Sequence, residues 1–567
     1  MKRTLKLLAL VAAFVMVAAA CGDTSSDTTT AATDAPPATD AAPFAGLSVA
    51  APDCDYGGSI SKIEATGEYE VTFTMCTPVP AFPAIAAFTP FGIQPEEHLA
   101  ATGGAPLDNP IGTGPWVLDT WQRGDSITFS RFDDYWGEAA DYSTLVFRWA
   151  TEGAQRLLEL QSGNVDQITN LSPDDFGTVQ GDGDLTFIPV ANPNTLYLAM
   201  VDQIDPFGDA PGEMTEFADV NVRQAIAMGI DRQRIVDNFY PEGSEVASHF
   251  TPCSIDLACG GDAWYDFDAA AAKALLADAG YPDGFETTIF YRDVFRGYLP
   301  EPGLVAVEFQ TQLEENLGIS ADVVVMESGE FIDESTNGRL DGLYLLGWGA
   351  DYPHVTNFLD FHFGKTNPQY GNPHPEIYEL LDEGKTIADA ATAAPIYEAA
   401  NNAIRDLVPM VPIAHGASAS ATLAGVGNSH FRPFGAPLFH RSTPAEGDTF
   451  VFLQNAEPIS LYCTDETDGE SLAPCQQVVE PLLGYAIDSG NVEPRLATAC
   501  TGNDDASVWT CSLREGVTFH DGSTFDANDV VASWSAGIDA ADPLHVGNTG
   551  AFEYYSYLWG NLINAPE

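Results

Sequence analysis

Patterns typical of helices and of strands alternate through the middle of this chain, and this alternation restricts the possible folds more than any other feature. The segment VNVRQAIAMGIDRQRIVDNFY carries apolar residues at helical spacing. A second helix is predicted in YDFDAAAAKALLADAGYPDGF, with Asp266 or Asp268 as its N-cap and Gly280 at its end. A helix in VAVEFQTQLEENLG then precedes the predicted strands ISADVVVM and GLYLLGW. Helices followed by strands more than once predict the α/β class with a partly parallel sheet.

Strand-and-turn patterns dominate both ends of the region that is expected to fold. The segment EYEVTFTM alternates polar and apolar residues and predicts a half-buried strand. From Asp448 onward the strand pattern returns in TFVFLQNAEPISLY, and VTFHDGSTF predicts a hairpin that turns at Asp521 and Gly522. A helix with Asp526 as N-cap and Asp529 three residues later follows it. We find no internal repeat that pairs this tail with the front of the chain.

The first residues have the pattern of an export signal. Basic residues, an apolar run and small residues precede Cys21 in MKRTLKLLALVAAFVMVAAAC, so residues 1–20 are predicted to be a signal peptide. The motif AAAC resembles a bacterial lipobox, which implies lipidation of Cys21; simple secretion is the alternative. Residues 21–46 are polar, contain proline and lack periodicity, which predicts a disordered tether.

Length and charge limit the function classes. A chain of 567 residues exceeds a single ordinary core and predicts two or three lobes or domains. Its 22 Lys and Arg residues against 82 Asp and Glu residues give a formal net charge of −60. Such a surface repels nucleic acid and anionic lipid, so we expect no nucleic-acid partner and contact with a membrane only through the lipid anchor.

The cysteines fit an exported protein. If Cys21 carries a lipid, eight of the nine cysteines remain, and they fall into local couples that suggest four disulfides in an oxidising compartment. A zinc site is the rival interpretation, but no CxxC pair supports it. The expected disulfides are Cys54–Cys76, Cys253–Cys259, Cys463–Cys475 and Cys500–Cys511.

Motifs of known enzyme chemistry were not found. The chain has no GxSxG, HExxH or Walker motif and no GxGxxG after a strand. His354, His362, His374 and His415 are metal candidates only if the fold gathers them. The sequence therefore predicts no catalytic residue, no metal site and no cofactor.

A set of ordered motifs resembles one family of proteins. These motifs are NPIGTGPWVLDTW, FDDYWG, LLELQSGNVDQI, VRQAIAMGIDRQRIV, AKALLADAGYPDGF and LGWGADYPHVTNFLD. Together they resemble the dipeptide/oligopeptide/nickel family of extracellular solute-binding proteins of ABC importers, over nearly all of residues 59–567. The resemblance implies a two-lobed α/β fold of the periplasmic-binding-protein type (class II, large) with an extra small subdomain. It also implies a monomer on the outer face of the cytoplasmic membrane, with a peptide-like solute and the permease and ATPase subunits of the importer as partners.

The order of the segments departs from that family. Segments like FVFLQNAEPISL, VVEPLLGY and LREGVTFHDGSTFDANDVVASW open the family's mature proteins, but here they follow SHFRPFGAPLFH, which resembles the family's C-terminus. We interpret the chain as circularly permuted, with the old ends joined through residues 442–448. A mis-assembled or truncated gene is the alternative explanation.

The resemblance divides the chain into a small subdomain and two lobes, each built from stated ranges. The expected ranges are 47–105 for the first part of the small subdomain, 106–200 for the first part of lobe 1, 201–431 for lobe 2, 432–475 for the second part of lobe 1 with the joined old termini, and 476–567 for the second part of the small subdomain.

The best candidate binding site is the segment GWGADYP. An apolar strand delivers Trp348 and then Asp351 to its end, and the small residues Gly349 and Ala350 allow close approach of an extended ligand. In peptide-binding relatives an Asp at the position of Asp351 pairs with the α-ammonium of the ligand. Alternatively, Asp351 caps a turn and Trp348 belongs to the core.

The resemblance also implies a partner strand, LQNAEP, on the opposite side of the cleft, although an ordinary lobe strand is the alternative. His354, and Tyr462 with Cys463, stand where the family often has an acidic residue and Asp-Pro. A sugar, a siderophore or a metal chelate is therefore an alternative solute, and a surface adhesin or hydrolase is a more distant alternative function. The complete set of expected ligand-binding residues is Trp348, Gly349, Asp351, Tyr352, Gln454, Asn455, Ala456 and Glu457.

Overall fold

The computed structural model describes residues 44–190 and 192–566. The predicted signal peptide, Cys21 and most of the predicted tether lie outside these residues. Within the described part of the chain, no helix combines the length and the apolar character needed to cross a bilayer. Three large β-sheets with helices packed against them form the described region, together with one two-stranded sheet of Leu483–Tyr485 and Val492–Pro494.

The first sheet joins the front of the chain to its tail. It is antiparallel, with Glu70–Met75 paired to Val508–Leu513 at its centre. Val71, Phe73 and Met75 are buried on one face, as the alternating pattern predicts. In spatial order its strands are Ser48–Ala50, Ile60–Gly67, Glu70–Met75, Val508–Leu513 and Ala497–Gly502.

An aromatic cluster fills the core beneath this sheet. Trp534, on the helix Ala527–Ile538, is fully buried, and its ring centroid lies 4.8 Å from that of Phe73 and 5.1 Å from that of Phe91. The predicted N-terminus of this helix is confirmed, because Asp526 and Asp529 form a reciprocal capping box. The other helices of this region are Phe82–Ala86, Glu96–Ala101 and Glu553–Leu558.

The second sheet has seven strands and contains the first strand of the tail. Thr449–Gln454 is inserted parallel between Thr144–Trp149 and Gln167–Ile168. The sheet order is Trp116–Gln122, Ser126–Arg131, Thr144–Trp149, Thr449–Gln454, Gln167–Ile168, Ser418–Leu423 and Leu185–Val190. Its helices are Gly153–Gln161, Phe176–Gly181 and Gly469–Cys475.

The third sheet has six strands and carries most of the helices, as the alternating pattern predicts. Its parallel part consists of Leu343–Gly349, Glu286–Arg292 and Ser320–Met326. The spatial order is Glu245–Val246, Met410–His415, Asn194–Met200, Leu343–Gly349, Glu286–Arg292 and Ser320–Met326. The helices are Val220–Gly229, Arg232–Phe239, Ala269–Asp278, Pro302–Gln312, Ser328–Thr336, Leu359–Phe363, Pro375–Gly384 and Ala390–Leu407.

The chain passes between the second and third sheets at two points that differ from the expected lobe boundaries. Asn194–Met200 belongs to the six-stranded sheet, and Ser418–Leu423 belongs to the seven-stranded sheet. The crossings therefore lie near residues 190–194 and 415–418, rather than at 200 and 431. The segment MVPIAHGASASATL is strand-like throughout, so its pattern does not reveal that it changes sheet at Gly416.

The two crossings are hydrogen-bonded to each other. Asn194 Nδ2 donates to the carbonyl of Gly416 at 2.8 Å, and the amide of Gly416 donates back to Asn194 Oδ1 at 2.8 Å. The ring of His415 contacts the carbonyl of Asn194 at 2.7 Å. A Cβ at Gly416 would lie 2.0 Å from the carbonyl oxygen of Gly297, so only glycine fits there.

All four expected disulfides are present. They are Cys54–Cys76, Cys253–Cys259, Cys463–Cys475 and Cys500–Cys511, with sequence separations of 22, 6, 12 and 11 residues. Each closes a short loop, and none of them crosses the proposed join of residues 442–448.

Candidate functional site

Asp351 lies just after the strand Leu343–Gly349, where a single asparagine fixes its position. Asn357 Oδ1 accepts hydrogen bonds from the amide of Asp351 at 3.0 Å and from Trp348 Nε1 at 3.2 Å. Asn357 Nδ2 donates to Asp351 Oδ2 at 3.0 Å. Asn357 therefore holds the carboxylate and the indole of this site in one arrangement.

The tail of the chain covers this site with two tyrosines. Tyr554 donates its hydroxyl hydrogen to Asp351 Oδ1 at 3.0 Å, across 203 positions of sequence. The ring of Tyr557 lies 6.3 Å from that of Trp348 and 4.8 Å from that of Phe361, and Trp348 and Phe361 stack at 4.6 Å. The site is therefore formed by the end of a strand of the six-stranded sheet together with the helix Glu553–Leu558 of the tail.

The carboxyl of Asp351 is enclosed by neutral groups. Burial raises the pKa of Asp351 to about 6, and the hydrogen bonds from Asn357 and Tyr554 offset only part of that effect. Among the described residues, no Lys, Arg or His nitrogen lies within the 4.0 Å of this carboxyl that an ion pair requires. A carboxylate in this position lacks a counter-charge and favours a cationic partner.

The residues next to Asp351 in sequence differ in their surroundings. A Cβ placed on Gly349 would meet no atom within 4 Å. Tyr352 is buried, and its hydroxyl lies 3.1 Å from Thr356 Oγ1. Burial lowers the pKa of His354 to about 4, so this unusual residue adds no charge at neutral pH. The structure thus places Trp348, Gly349, Asp351 and Tyr352 at and just after the end of one strand, where Asn357 links Trp348 to Asp351.

The segment Gln454–Glu457 makes its contacts elsewhere, within the seven-stranded lobe. Gln454 is buried and donates to the carbonyls of Ala456 and Glu470 at 2.8 and 2.9 Å. Asn455 accepts from Asn170 at 2.9 Å, and Glu457 accepts from Trp121 Nε1 at 3.2 Å. These side chains stabilise their own lobe, and in the described chain their hydrogen bonds do not reach Asp351.

Tyr554 is the site residue that sequence reasoning missed. The only signal in the sequence is EYYSYLW, in which Tyr554 and Tyr557 lie three residues apart and share one face of a short helix. That spacing is equally typical of a core helix, so the pattern alone does not point to Asp351.

The candidate histidines are not gathered into a metal site. His362 Nδ1 contacts the carbonyl of Phe358 at 2.7 Å, His415 contacts Asn194, and His374 precedes the helix Pro375–Gly384. The one grouping of potential metal ligands within the described residues consists of His249 with Cys253 and Cys259. Those two sulfurs form a disulfide and offer no thiolate.

Comparison with known proteins identifies the family. The family described as "Bacterial extracellular solute-binding proteins, family 5 Middle" matches residues 24–370 and 491–551. A di/tripeptide-binding protein of Pseudomonas aeruginosa is 29% identical over 67% of this chain and 71% of that protein. A haem-binding protein A of Haemophilus influenzae is 25% identical over 58% of this chain and 59% of that protein.

The fold agrees with this family. The crystal structure of a dipeptide-binding protein from a Pseudoalteromonas species, solved in complex with Met-Leu, matches with a TM-score of 0.57 and 26% identity. The match covers 68% of this chain and 76% of that chain. The fold is therefore the two-lobed class II periplasmic-binding-protein fold, and the chain belongs to the bacterial extracellular solute-binding proteins of family 5.

Proposed function

We propose that this protein captures a peptide-like solute between its lobes, with the α-ammonium of the solute paired to Asp351. The observation that carries the proposal is the enclosed carboxyl of Asp351, which has two neutral hydrogen-bond donors and no ion pair among the described residues. An ammonium that leaves water needs a charged acceptor to offset the loss of its hydration. Asp351 supplies such an acceptor at the end of a rigid strand.

The surroundings of Asp351 favour an extended ligand. The open space beside Gly349 allows a backbone to approach, while the indole of Trp348 lies on the other face of the strand, stacked on Phe361. In this mode of recognition, main-chain pairing provides affinity and the side chains of the ligand are only loosely selected. The di/tripeptide-binding and dipeptide-binding relatives support a short peptide as the solute.

A non-peptide solute is the second candidate, and the haem-binding relative is the observation that favours it. A haem, a siderophore or a sugar has no α-ammonium, so it would leave the charge of Asp351 without a partner. For this reason we place the peptide first.

The proposed role includes a lipid on Cys21 and delivery of the solute to the permease and ATPase subunits of an ABC importer. The lipid and the solute class can be tested together by comparing the natural chain with Cys21→Ser. We expect the natural protein in the membrane fraction and Cys21→Ser in the soluble fraction. The native mass spectrum of purified Cys21→Ser is expected to show a copurified di- or tripeptide that denaturation releases.

Calorimetry then distinguishes the solute classes. Dipeptides with a free amino terminus are expected to bind, whereas their N-acetylated forms are expected to bind at least about tenfold more weakly, because one charged hydrogen bond is lost. Binding of haem with no binding of any di- or tripeptide would exclude the peptide assignment. Equal partition of both proteins into the membrane fraction would exclude the lipid on Cys21.

We further propose that the chain is circularly permuted, with the domain ranges adjusted to the two observed crossings. The order of the family-like segments is the first support. The second is the proximity of the segments at the proposed cut: the amide of Ser59 donates to the carbonyl of Trp559 at 2.6 Å, and Asn561 Nδ2 donates to the carbonyl of Tyr56 at 2.9 Å. The third is the exposure of residues 446–448 within the proposed join of residues 442–448.

A cleavable join tests the permutation. With a protease site between Glu446 and Gly447, cleavage would restore the ends that the family order has. We expect the two pieces to co-elute and to bind peptide as the uncut protein does, because the strand Thr449–Gln454 stays between its two parallel neighbours. None of the four disulfides joins the pieces, so co-elution would report non-covalent contacts alone. Separation of the pieces after cutting would contradict the proposal; the uncut variant is the control.

A further inference from the structure

A small cavity lies where the seven-stranded lobe meets the small subdomain. Its volume is about 40 Å³, and by this measure a single water needs roughly 10–15 Å³, so it has room for only a few water-sized particles. Its polar lining includes Arg432, Arg495, His440, Gln476, Glu480 and Tyr135.

Arg432 is a buried cation with only neutral partners. Its side chain donates to the carbonyls of Tyr485 at 2.7 Å and of Ala436 at 3.2 Å, and the residue is 4% exposed. Among the arginine nitrogens of the described chain, Nε of Arg432 is the one that is buried without a hydrogen-bond partner. Burial, together with the charge of Arg495, lowers the pKa of Arg432 to about 10, so it is still protonated at neutral pH.

A second guanidinium lines the same cavity. Arg495 passes closely over Gly484, where a Cβ would lie 2.7 Å from Arg495 Nε. Within the described residues, neither Arg495 nor Arg432 has a carboxylate oxygen within 4.0 Å. His440 is also buried with Nδ1 unpartnered, and burial lowers its pKa to about 3, so it is a neutral group.

The acidic groups near the cavity do not neutralise the two arginines by contact. The carboxylate of Glu480 already accepts hydrogen bonds from Trp136 Nε1 at 2.7 Å, Tyr135 at 2.9 Å and Thr113 at 2.9 Å. Glu493 is exposed, and its charge acts on Arg432 from beyond ion-pair distance. Arg156, Arg223 and Arg232 are also buried and bonded only to carbonyls, and Arg432 differs from them in its buried, unpartnered Nε.

We propose that this cavity binds one small monovalent anion, chloride or a short carboxylate, between Arg432 and Arg495. The anion lies against the two arginine side chains and supplies the counter-charge that a buried guanidinium needs. Because Arg432 and Arg495 lie on segments separated by more than 60 residues, the anion also joins the two segments at the junction of lobe 1 and the small subdomain. This proposal is independent of the peptide assignment.

The test measures thermal unfolding of the Cys21→Ser protein in sodium chloride, sodium formate and sodium gluconate at equal ionic strength. Chloride or formate is expected to raise the unfolding midpoint in a saturable way, since an anion that binds only the folded state stabilises it by mass action, whereas gluconate is too large for the cavity. The ion with the lower half-saturating concentration is the preferred occupant. Equal midpoints in all three salts would overturn the proposal.

Variants locate the effect. Arg495→Gln, which keeps the fully buried Arg432 in place, is expected to raise the half-saturating chloride concentration by about tenfold, because one charged hydrogen bond is lost. Arg441→Gln is the matched control, since Arg441 is exposed, pairs with Glu138 and does not line the cavity. An equal loss in both variants would overturn the proposal, and so would displacement of chloride by a bound dipeptide.

Crystals grown in bromide are expected to show an anomalous peak between the two guanidinium groups. A peak found only elsewhere would contradict the proposal.

Discussion

Asp351→Ala is expected to weaken the binding of a dipeptide with a free amino terminus by more than about 1.5 kcal/mol, or more than about tenfold in Kd. The reason is the loss of the charged acceptor for the α-ammonium, which then has only the neutral Tyr554 and Asn357 nearby. Calorimetry with the natural protein and the variant measures this difference. Unchanged affinity would remove Asp351 from the binding site.

Asp351→Asn is the matched control, because it keeps the shape of the side chain and removes the charge. Burial raises the pKa of Asp351 to about 6, compared with about 3.9 for a free aspartate. A carboxyl with a raised pKa in the folded state lowers the stability of the ligand-free protein as the pH rises from 4 to 6, by up to about 3 kcal/mol. Asp351→Asn should therefore stabilise the ligand-free protein at pH 8 and leave it unchanged near pH 3.

The same pKa sets the pH dependence of binding. Below pH 6 the carboxyl of Asp351 is protonated in the ligand-free protein, so the affinity for an ammonium ligand should fall as the pH decreases below that value. In Asp351→Asn this dependence should disappear. If both proteins showed the same pH profile, the titration would belong to another group.

Trp534→Ala is expected to lower the free energy of unfolding of the small subdomain by about 3–5 kcal/mol, as is typical when a fully buried aromatic ring is removed. Its ring contacts Phe73 and Phe91 from the front of the chain, while its helix belongs to the tail. Hydrogen exchange should therefore accelerate together in the paired strands Glu70–Met75 and Val508–Leu513.

Trp509→Ala is the control for this variant. Trp509 belongs to the same sheet but is only partly buried, and it stacks on Phe82 with a centroid distance of 5.3 Å. Removal of the Trp509 ring should lower the free energy of unfolding clearly less than removal of the Trp534 ring does. Faster exchange confined to the tail strands of Trp534→Ala would show that the front and tail do not form one cooperative unit.

Local features of this fold could be predicted from the sequence, because neighbouring residues determine them. Alternation in EYEVTFTM predicts the strand Glu70–Met75, and the spacing of Asp526 and Asp529 predicts the start of their helix. The cysteine couples predict disulfides because each closes a short loop. Trp348 and Asp351 are close in sequence, so their proximity in the site was also predictable.

Contacts between distant segments could not be predicted in the same way. Tyr554 meets Asp351 only because the tail completes the first sheet and brings its last helix against lobe 2. Gln454 is directed into its own lobe by hydrogen bonds to two carbonyls that no sequence pattern shows. The strand Ser418–Leu423 consists mainly of small residues, so neither its burial pattern nor its sheet was predictable.

The paired hydrogen bonds between Asn194 and Gly416 influence which motions between the lobes have a low free-energy cost. Since both crossings are fastened side by side, rotation about the line through them keeps the two bonds, whereas a twist between the lobes would pull the crossings apart. Each bond contributes only about 1 kcal/mol, so the pair favours closure by rotation over closure by twisting without excluding other motions.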